Sequence, residues 1–301
     1  MTSRSERGAL VALLQDRPSD LTWRRLAAEV GDVSSAVEVY ARLSNLDLFS
    51  DPDGHGERFE RAAGEIESWE AEGIGVHTML DDTYPGQLRE VLHMPPIVFT
   101  RGTLAPDTRS VAIVGSRTAS QEGIIIASRL ATELSERGYT IVSGGAKGID
   151  SAAHEAALTV GGRTVAVLGT GVRTYFPPEN RALHDRIARE GLVLSQFWPD
   201  SCGTKHTFPM RNATMSGYVT ATVVVEAGER SGTRIQARSA VEHGRPVLLA
   251  AGVVRVNRWA QDLRGQPGVH VVSGLEDVLR VLDRSDDSGE AVRKLLGSVT
   301  T

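Results

Sequence analysis

Two short apolar runs, each ending in a glycine turn and separated by a helix-length segment, constrain this chain more than any other feature. Val111 to Val114 meets Gly115-Ser116-Arg117, and Tyr139 to Val142 meets Ser143-Gly144-Gly145 and Gly148. Between them, Gln121 to Arg137 carries Ile124, Ile125, Ala127, Leu130, Ala131 and Leu134 at helical spacing, enough to cover one face of a sheet. Strand, glycine turn and helix, repeated, make a parallel α/β unit. Ligands of such sheets bind beyond the carboxyl ends of the strands. Both turns are therefore expected on one edge, close together.

The pattern continues with short spacings. Strands are expected at 111–114, 139–142, 164–168, 192–195, 221–225, 246–250 and 269–272, and helices at 120–137, 150–159, 179–190, 209–217, 232–243, 259–264 and 275–282. Thr222 to Val225 is apolar apart from its threonine, as suits a central parallel strand. Ahead of this body, Gly75 to Thr78 reads as a strand. Met94 to Gly102 reads as a proline-bounded strand at a sheet edge, because proline lacks the ladder donor. Residues 1–72 read as a small helical domain, SAM-like in one reading, with a polar loop from Asp51 to Gly56; residues 73–285 form the α/β domain and 286–301 a polar tail. The fragment from Thr22 to Glu38 has the outline of a helix-turn-helix, but short helical pairs with a glycine turn are usually packing units.

A chain of 301 residues buries a substantial core. Its net charge of −5 gives no global signal for nucleic acid or for a polybasic membrane contact, so a nucleic-acid binder would need a local basic patch. The single cysteine, Cys202, excludes an intramolecular disulfide and a multi-cysteine metal site. No apolar signal core or membrane-length stretch is present, which predicts a cytoplasmic protein. Six of the histidines, at 77, 93, 184, 206, 243 and 270, are scattered, so no metal is expected.

Four clusters could carry chemistry. Gly115 permits a tight turn at a strand end, where Ser116, Arg117 and backbone donors can meet a phosphate; the plainer reading is a solvent-facing turn, with Ser120 capping the helix. The run lacks the glycines of a dinucleotide fingerprint and the G-K-[ST] of a P-loop. In the second cluster, Ser143, Gly144, Gly145 and Gly148 allow amides to point into a pocket. There Lys147 faces a phosphate or water, Asp150 is expected to cap the following helix, and His154 reads as a packing residue. The third cluster sets Lys205, Phe208, Arg211 and Asn212 around Pro209; cations neutralise phosphates and an aromatic stacks on an unpaired base, although Phe208 also suits a core anchor. The fourth is Glu226 with Ser231, Gly232 and Thr233. A carboxylate there could hold a ribose hydroxyl, act as acid or base, or fix neighbouring loops.

Together these stretches resemble the DprA/Smf family of DNA-processing proteins. The likeness runs over roughly residues 80–250. It rests on Asp82-Thr83-Tyr84-Pro85, Pro95-Pro96, Arg101-Gly102, AIVGSRTAS at 112–120 and IVSGGAKGIDSAAHEAAL at 141–158. It continues through Tyr175-Phe176-Pro177, Asn180, Phe208-Pro209, Arg211-Asn212, VVVEAGERSGTRIQA at 223–237 and EHGRPV at 242–247. The resemblance implies an extended Rossmann-like domain that binds single-stranded DNA and passes it to the RecA recombinase in natural transformation. It further implies a homodimer through the α/β domain, no cofactor and no enzymatic activity. By the same resemblance Arg117 contacts phosphates, Lys205 lies in the DNA pocket and Phe208 lies near the bases. Departures are Gln196, Ala213 and the run Gly232-Thr233-Arg234-Ile235-Gln236, where the family has glycine-serine-leucine-isoleucine-threonine; the C-terminal winged helix that some members carry is not expected. Two further classes stand beside this one: a nucleotide-derivative sensor or defence protein using the same pocket, and a nucleoside-monophosphate phosphoribohydrolase. The second needs a glutamate where this chain has Gln236.

Overall fold

The computed structural model describes residues 2–17, 21–43 and 52–284. Four helices come first: α1 (Arg4–Asp16), α2 (Trp23–Val33), α3 (Ala36–Leu43) and α4 (Pro52–Ala71). Thr22 opens α2 by accepting from Arg25 N at 3.2 Å, and Ser34, at φ +60°, closes it. Ser35 accepts from Glu38 N at 3.2 Å and starts α3. The expected polar loop at 51–56 is corrected, because α4 already begins at Pro52, a residue type that suits a first helical turn. The expected tail at 286–301 lies outside the described residues.

Strands β1 (Gly75–Thr78) and β2 (Ile97–Gly102), with α5 (Gly86–Arg89) between them, lead into the α/β body. The body runs β3 (Ser110–Gly115), α6 (Gln121–Glu136), β4 (Thr140–Ser143), α7 (Ile149–Thr159), β5 (Thr164–Val167), α8 (Arg181–Glu190) and β6 (Leu192–Ser195). It continues through α9 (Thr207–Tyr218), β7 (Ala221–Glu226), α10 (Thr233–Glu242), β8 (Val247–Ala250), α11 (Ala251–Val256), α12 (Arg258–Leu263) and β9 (Val269–Val272), followed by helix over 275–284. The strands form one sheet of order β1-β2-β6-β5-β4-β3-β7-β8-β9. From β3 the chain builds outward one way through β4, β5 and β6, then restarts at β7 on the other side. The switch point therefore lies between β3 and β7.

The sheet is mixed rather than wholly parallel, since β2 runs antiparallel to both β1 and β6. That also corrects the edge placement of β2. Pro95 and Pro96 precede the strand, so every residue from Ile97 onward keeps its amide for the ladder, and the true edge is β1. Of the apolar positions expected to cover the sheet from α6, Ile125 instead is 57% exposed.

One continuous core joins the N-terminal helices to the sheet. It includes Leu10, Leu13, Leu26, Val39 and Ile66 from the helices and Ile97, Phe99 and Val193 from the strands. Trp198 bridges the two, with its ring 6.2 Å from Trp23, 5.9 Å from Trp69 and 5.6 Å from Phe99.

Candidate nucleic-acid interface

The first glycine turn leaves β3 at the switch point. A Cβ on Gly115 would stand 2.6 Å from Ile149 Cγ1 and 2.7 Å from the Glu226 carbonyl oxygen, so the strands close up only around glycine. Ser116 Oγ accepts from Thr118 N at 3.1 Å. Ser120 caps α6, accepting from Gly123 N at 3.0 Å. Glu226 ends β7 and takes the Ser120 hydroxyl at 2.5 Å and the Ser120 amide at 3.1 Å. Of the roles open to that carboxylate, the structure shows the loop-fixing one.

The second turn is held from beneath. Asp150 does not cap α7; Gly148 stands at that position and provides no side-chain bond. The Asp150 carboxylate instead folds back to accept from Gly144 N at 3.1 Å and Ala146 N at 3.4 Å. Burial pushes this carboxyl up, opposed by Arg211 and by the amides it accepts from. Arg211 donates to the carbonyls of Gly144 at 2.7 Å and Val167 at 2.9 Å. Burial lowers the Arg211 guanidinium, opposed by Asp150. Asn180 and His184 reach the Gly145 carbonyl at 2.9 and 3.1 Å. Ser143 is fully buried and donates to the Ile113 carbonyl at 2.7 Å, tying β4 to β3. His154 is also fully buried, 2.7 Å from Thr164 Oγ1, as a packing histidine should be.

A cavity of about 540 Å³ opens between the β3 and β7 turns and the start of α9, within the usual range for a small-ligand site. Its charged lining is Arg117, Arg211 and Arg230 against the single carboxylate of Asp150. Positive charge thus exceeds negative here although the whole chain carries −5. The Phe208 ring forms one wall. It lies across Gly169, where a Cβ would come within 2.6 Å of it, and 5.2 Å from the ring of Phe176. The exposed Arg117 guanidinium stands 5.3 Å from the Phe208 centroid, and that of Arg211 6.0 Å. Asn212, Ser231, Gly232 and Thr233 complete the α10 side of the lining, with Asn212 Nδ2 donating to the Gly232 carbonyl at 3.3 Å.

The cavity thus gathers Gly115, Ser116, Arg117, Asp150, Phe208, Arg211, Asn212, Ser231, Gly232 and Thr233. Other members of the expected set stand outside it. Ser143 lies beneath the sheet edge, and Lys147 is at the surface in an ion pair with Glu179 at 3.0 Å. Lys205 is exposed, three residues ahead of Phe208, and among the described residues it has no ion-pair partner. Sequence reasoning missed Arg230. It sits in the β7–α10 loop, exposed and without an ion-pair partner among the described residues. Its signal was an arginine directly before the Ser231-Gly232 turn. Among the described residues no cluster of histidine, cysteine, aspartate and glutamate could hold a metal ion, and no helix is long and apolar enough to cross a membrane.

A family model, DNA recombination-mediator protein A, matches residues 75–282. The chain belongs to the DprA/Smf family. The DNA processing protein DprA of Streptococcus pneumoniae is 41% identical over 178 residues, 59% of this chain and 63% of that protein. DprA of Bacillus subtilis is 34% identical over 189 residues, 62% of this chain and 64% of that protein. The matched stretches thus span a little under two thirds of these DprA proteins. The X-ray structure of the Streptococcus pneumoniae DprA superposes with a TM-score of 0.71 at 32% identity, covering 93% of this chain and 98% of that chain. A Helicobacter pylori DNA processing protein A, whose structure describes a single-stranded DNA binding mode, superposes at TM-score 0.62 with 22% identity, covering 70% of this chain and 96% of that one; this likeness shows the fold alone.

Proposed function

We propose that the cavity and its rim bind single-stranded DNA, and that the protein delivers the strand to RecA as a cytoplasmic homodimer joined through its α/β domain. The observation that carries this reading is the Arg117 guanidinium over the Phe208 ring at the cavity. It pairs a phosphate-binding cation with an aromatic face on which a base can stack. Arg230 adds a second exposed cation to the cavity lining, and Lys205 offers an exposed charge three residues ahead of Phe208. Binding, not catalysis, suits the site. The cavity's carboxylate, Asp150, and Glu226 beside it are both engaged in holding loops, and an amide stands where the phosphoribohydrolase reading needs an acid.

Fluorescence anisotropy with a labelled oligonucleotide at two salt concentrations tests this. Each of Arg117→Ala, Arg230→Ala and Lys205→Ala is expected to weaken binding across sequences and to flatten the salt slope by roughly 0.7. Unchanged affinity in the Arg117→Ala, Lys205→Ala double variant refutes the assignment. The RecA step is read separately, as faster filament formation on the strand when the protein is added. The cavity volume also favours a nucleotide-sized ligand; displacement of the oligonucleotide by millimolar mononucleotide would support the sensor reading instead.

A further inference from the structure

Gln236 lies one turn into α10, is 1% exposed and lines the cavity. Neither its Oε1 nor its Nε2 has a hydrogen-bond partner. Each buried polar atom left in that condition costs about 1–3 kcal/mol, and such groups in native proteins call for a partner. The neighbouring polar groups are already engaged with protein. Asn212 donates to Gly232, and Thr233 Oγ1 donates to the Gly115 carbonyl at 3.3 Å. Of the cavity's lining, Arg211 Nε is likewise buried without a partner, but it is a donor alone, whereas the Gln236 amide carries a donor and an acceptor side by side.

That pairing selects a chemical class. A phosphate offers only acceptors and satisfies half of the amide. An apolar ligand satisfies none of it. A nucleobase edge carries a donor and an acceptor on adjacent atoms and satisfies both. We infer that Gln236 anchors one unstacked base of the bound strand by a bidentate hydrogen bond. The phosphates flanking that base stay at the rim with Arg117 and Arg230. Met215 and Ile235 supply apolar walls for the base and Phe208 supplies a ring face. The glutamine is already in the cavity wall, so a change of its own rotamer delivers the amide. The inference rests on the single-strand reading and deepens it, making Gln236 a base-anchoring residue rather than a contact to the backbone.

The test is a cycle between ligand and protein. A thymidine hexamer is compared with the same hexamer built on difluorotoluene, which keeps the shape of thymine and loses its hydrogen bonds. Wild type is expected to prefer thymidine about tenfold. Gln236→Leu and Gln236→Met are expected to bind both hexamers equally. Both variants should also melt at a higher temperature than wild type, because the unmet amide is gone; that readout confirms folding independently of binding. A preference that survives in both variants, or a wild type that does not discriminate, overturns the inference while thymidine binding itself persists. A wild type that holds neither hexamer overturns the single-strand reading and the inference together.

Discussion

Arg117 and Arg211 look equivalent in the sequence, since each is an arginine in a cluster that could meet a phosphate. The fold separates them. Arg117 is exposed at the cavity with its guanidinium over the Phe208 ring. Arg211 is 6% exposed and anchors the Gly144 and Val167 carbonyls beside Asp150. Truncating it leaves two carbonyls without their donor and the buried Asp150 carboxylate without its nearby positive charge. Arg211→Met is therefore expected to destabilise the protein by about 3–5 kcal/mol in urea unfolding. Arg117→Met should stay within about 0.5 kcal/mol of wild type while losing strand affinity. If Arg211→Met keeps full stability, the anchoring role is wrong. The sequence could not separate the two residues, because the carbonyls that hold Arg211 come from β4 and β5, far away along the chain. Arg230 was passed over for a related reason. Its place at the cavity depends on the β3 and β7 turns meeting, which only the sheet order decides.

At the scale of the element, glycine turns after parallel strands were the strongest signal, and their meeting is a direct result of β3 pairing with β4. The backbone shows how tight it is. Ile149 N donates to the Ser116 carbonyl at 3.2 Å, and Gly148, at φ +78°, passes so close that a Cβ would press on that carbonyl. Gly148→Ala combines a left-handed conformation with this clash and is expected to cost roughly 1–3 kcal/mol. It should also shift the Arg117 turn and weaken strand binding more than its stability loss explains. Equal binding by the folded variant would show that the two turns are not mechanically coupled. The alternation of apolar runs made the seven strands from β3 to β9 legible. The place of β2 was not, since a proline pair before a strand and one within it look alike until the ladder is seen. Helix α11 was also missed, because six residues with no side-chain cap carry no start signal.

At the scale of the whole molecule, the helices and the sheet share one core, and several histidines are buried within the fold with burial lowering their basicity. His154 is pushed down to about 3 and His243 to about 4, with burial the leading cause in each, and His77 and His184 move in the same direction. Above pH 6.5, the ordinary histidine value, both folded and unfolded chains hold these rings neutral and no stability is lost. As the pH falls below that value the unfolded chain takes up protons that the folded chain refuses, so stability declines towards the folded values. His154 alone should cost about 2 kcal/mol between pH 7 and pH 5. Urea midpoints at the two pH values measure this. His154→Gln, which keeps a polar atom for Thr164, should reduce the acid loss by that amount. In a Trp259→Phe background, tryptophan fluorescence reports on the Trp23, Trp69 and Trp198 cluster where helices and sheet meet, and circular dichroism reports on the whole chain. Coincident acid-shifted transitions by both probes are expected, because the cluster of Leu10, Leu26, Ile66, Phe99 and Val193 is built from both layers and neither can leave it intact. Fluorescence that fell first, with most of the dichroism retained, would show the N-terminal helices leaving a sheet that stands alone.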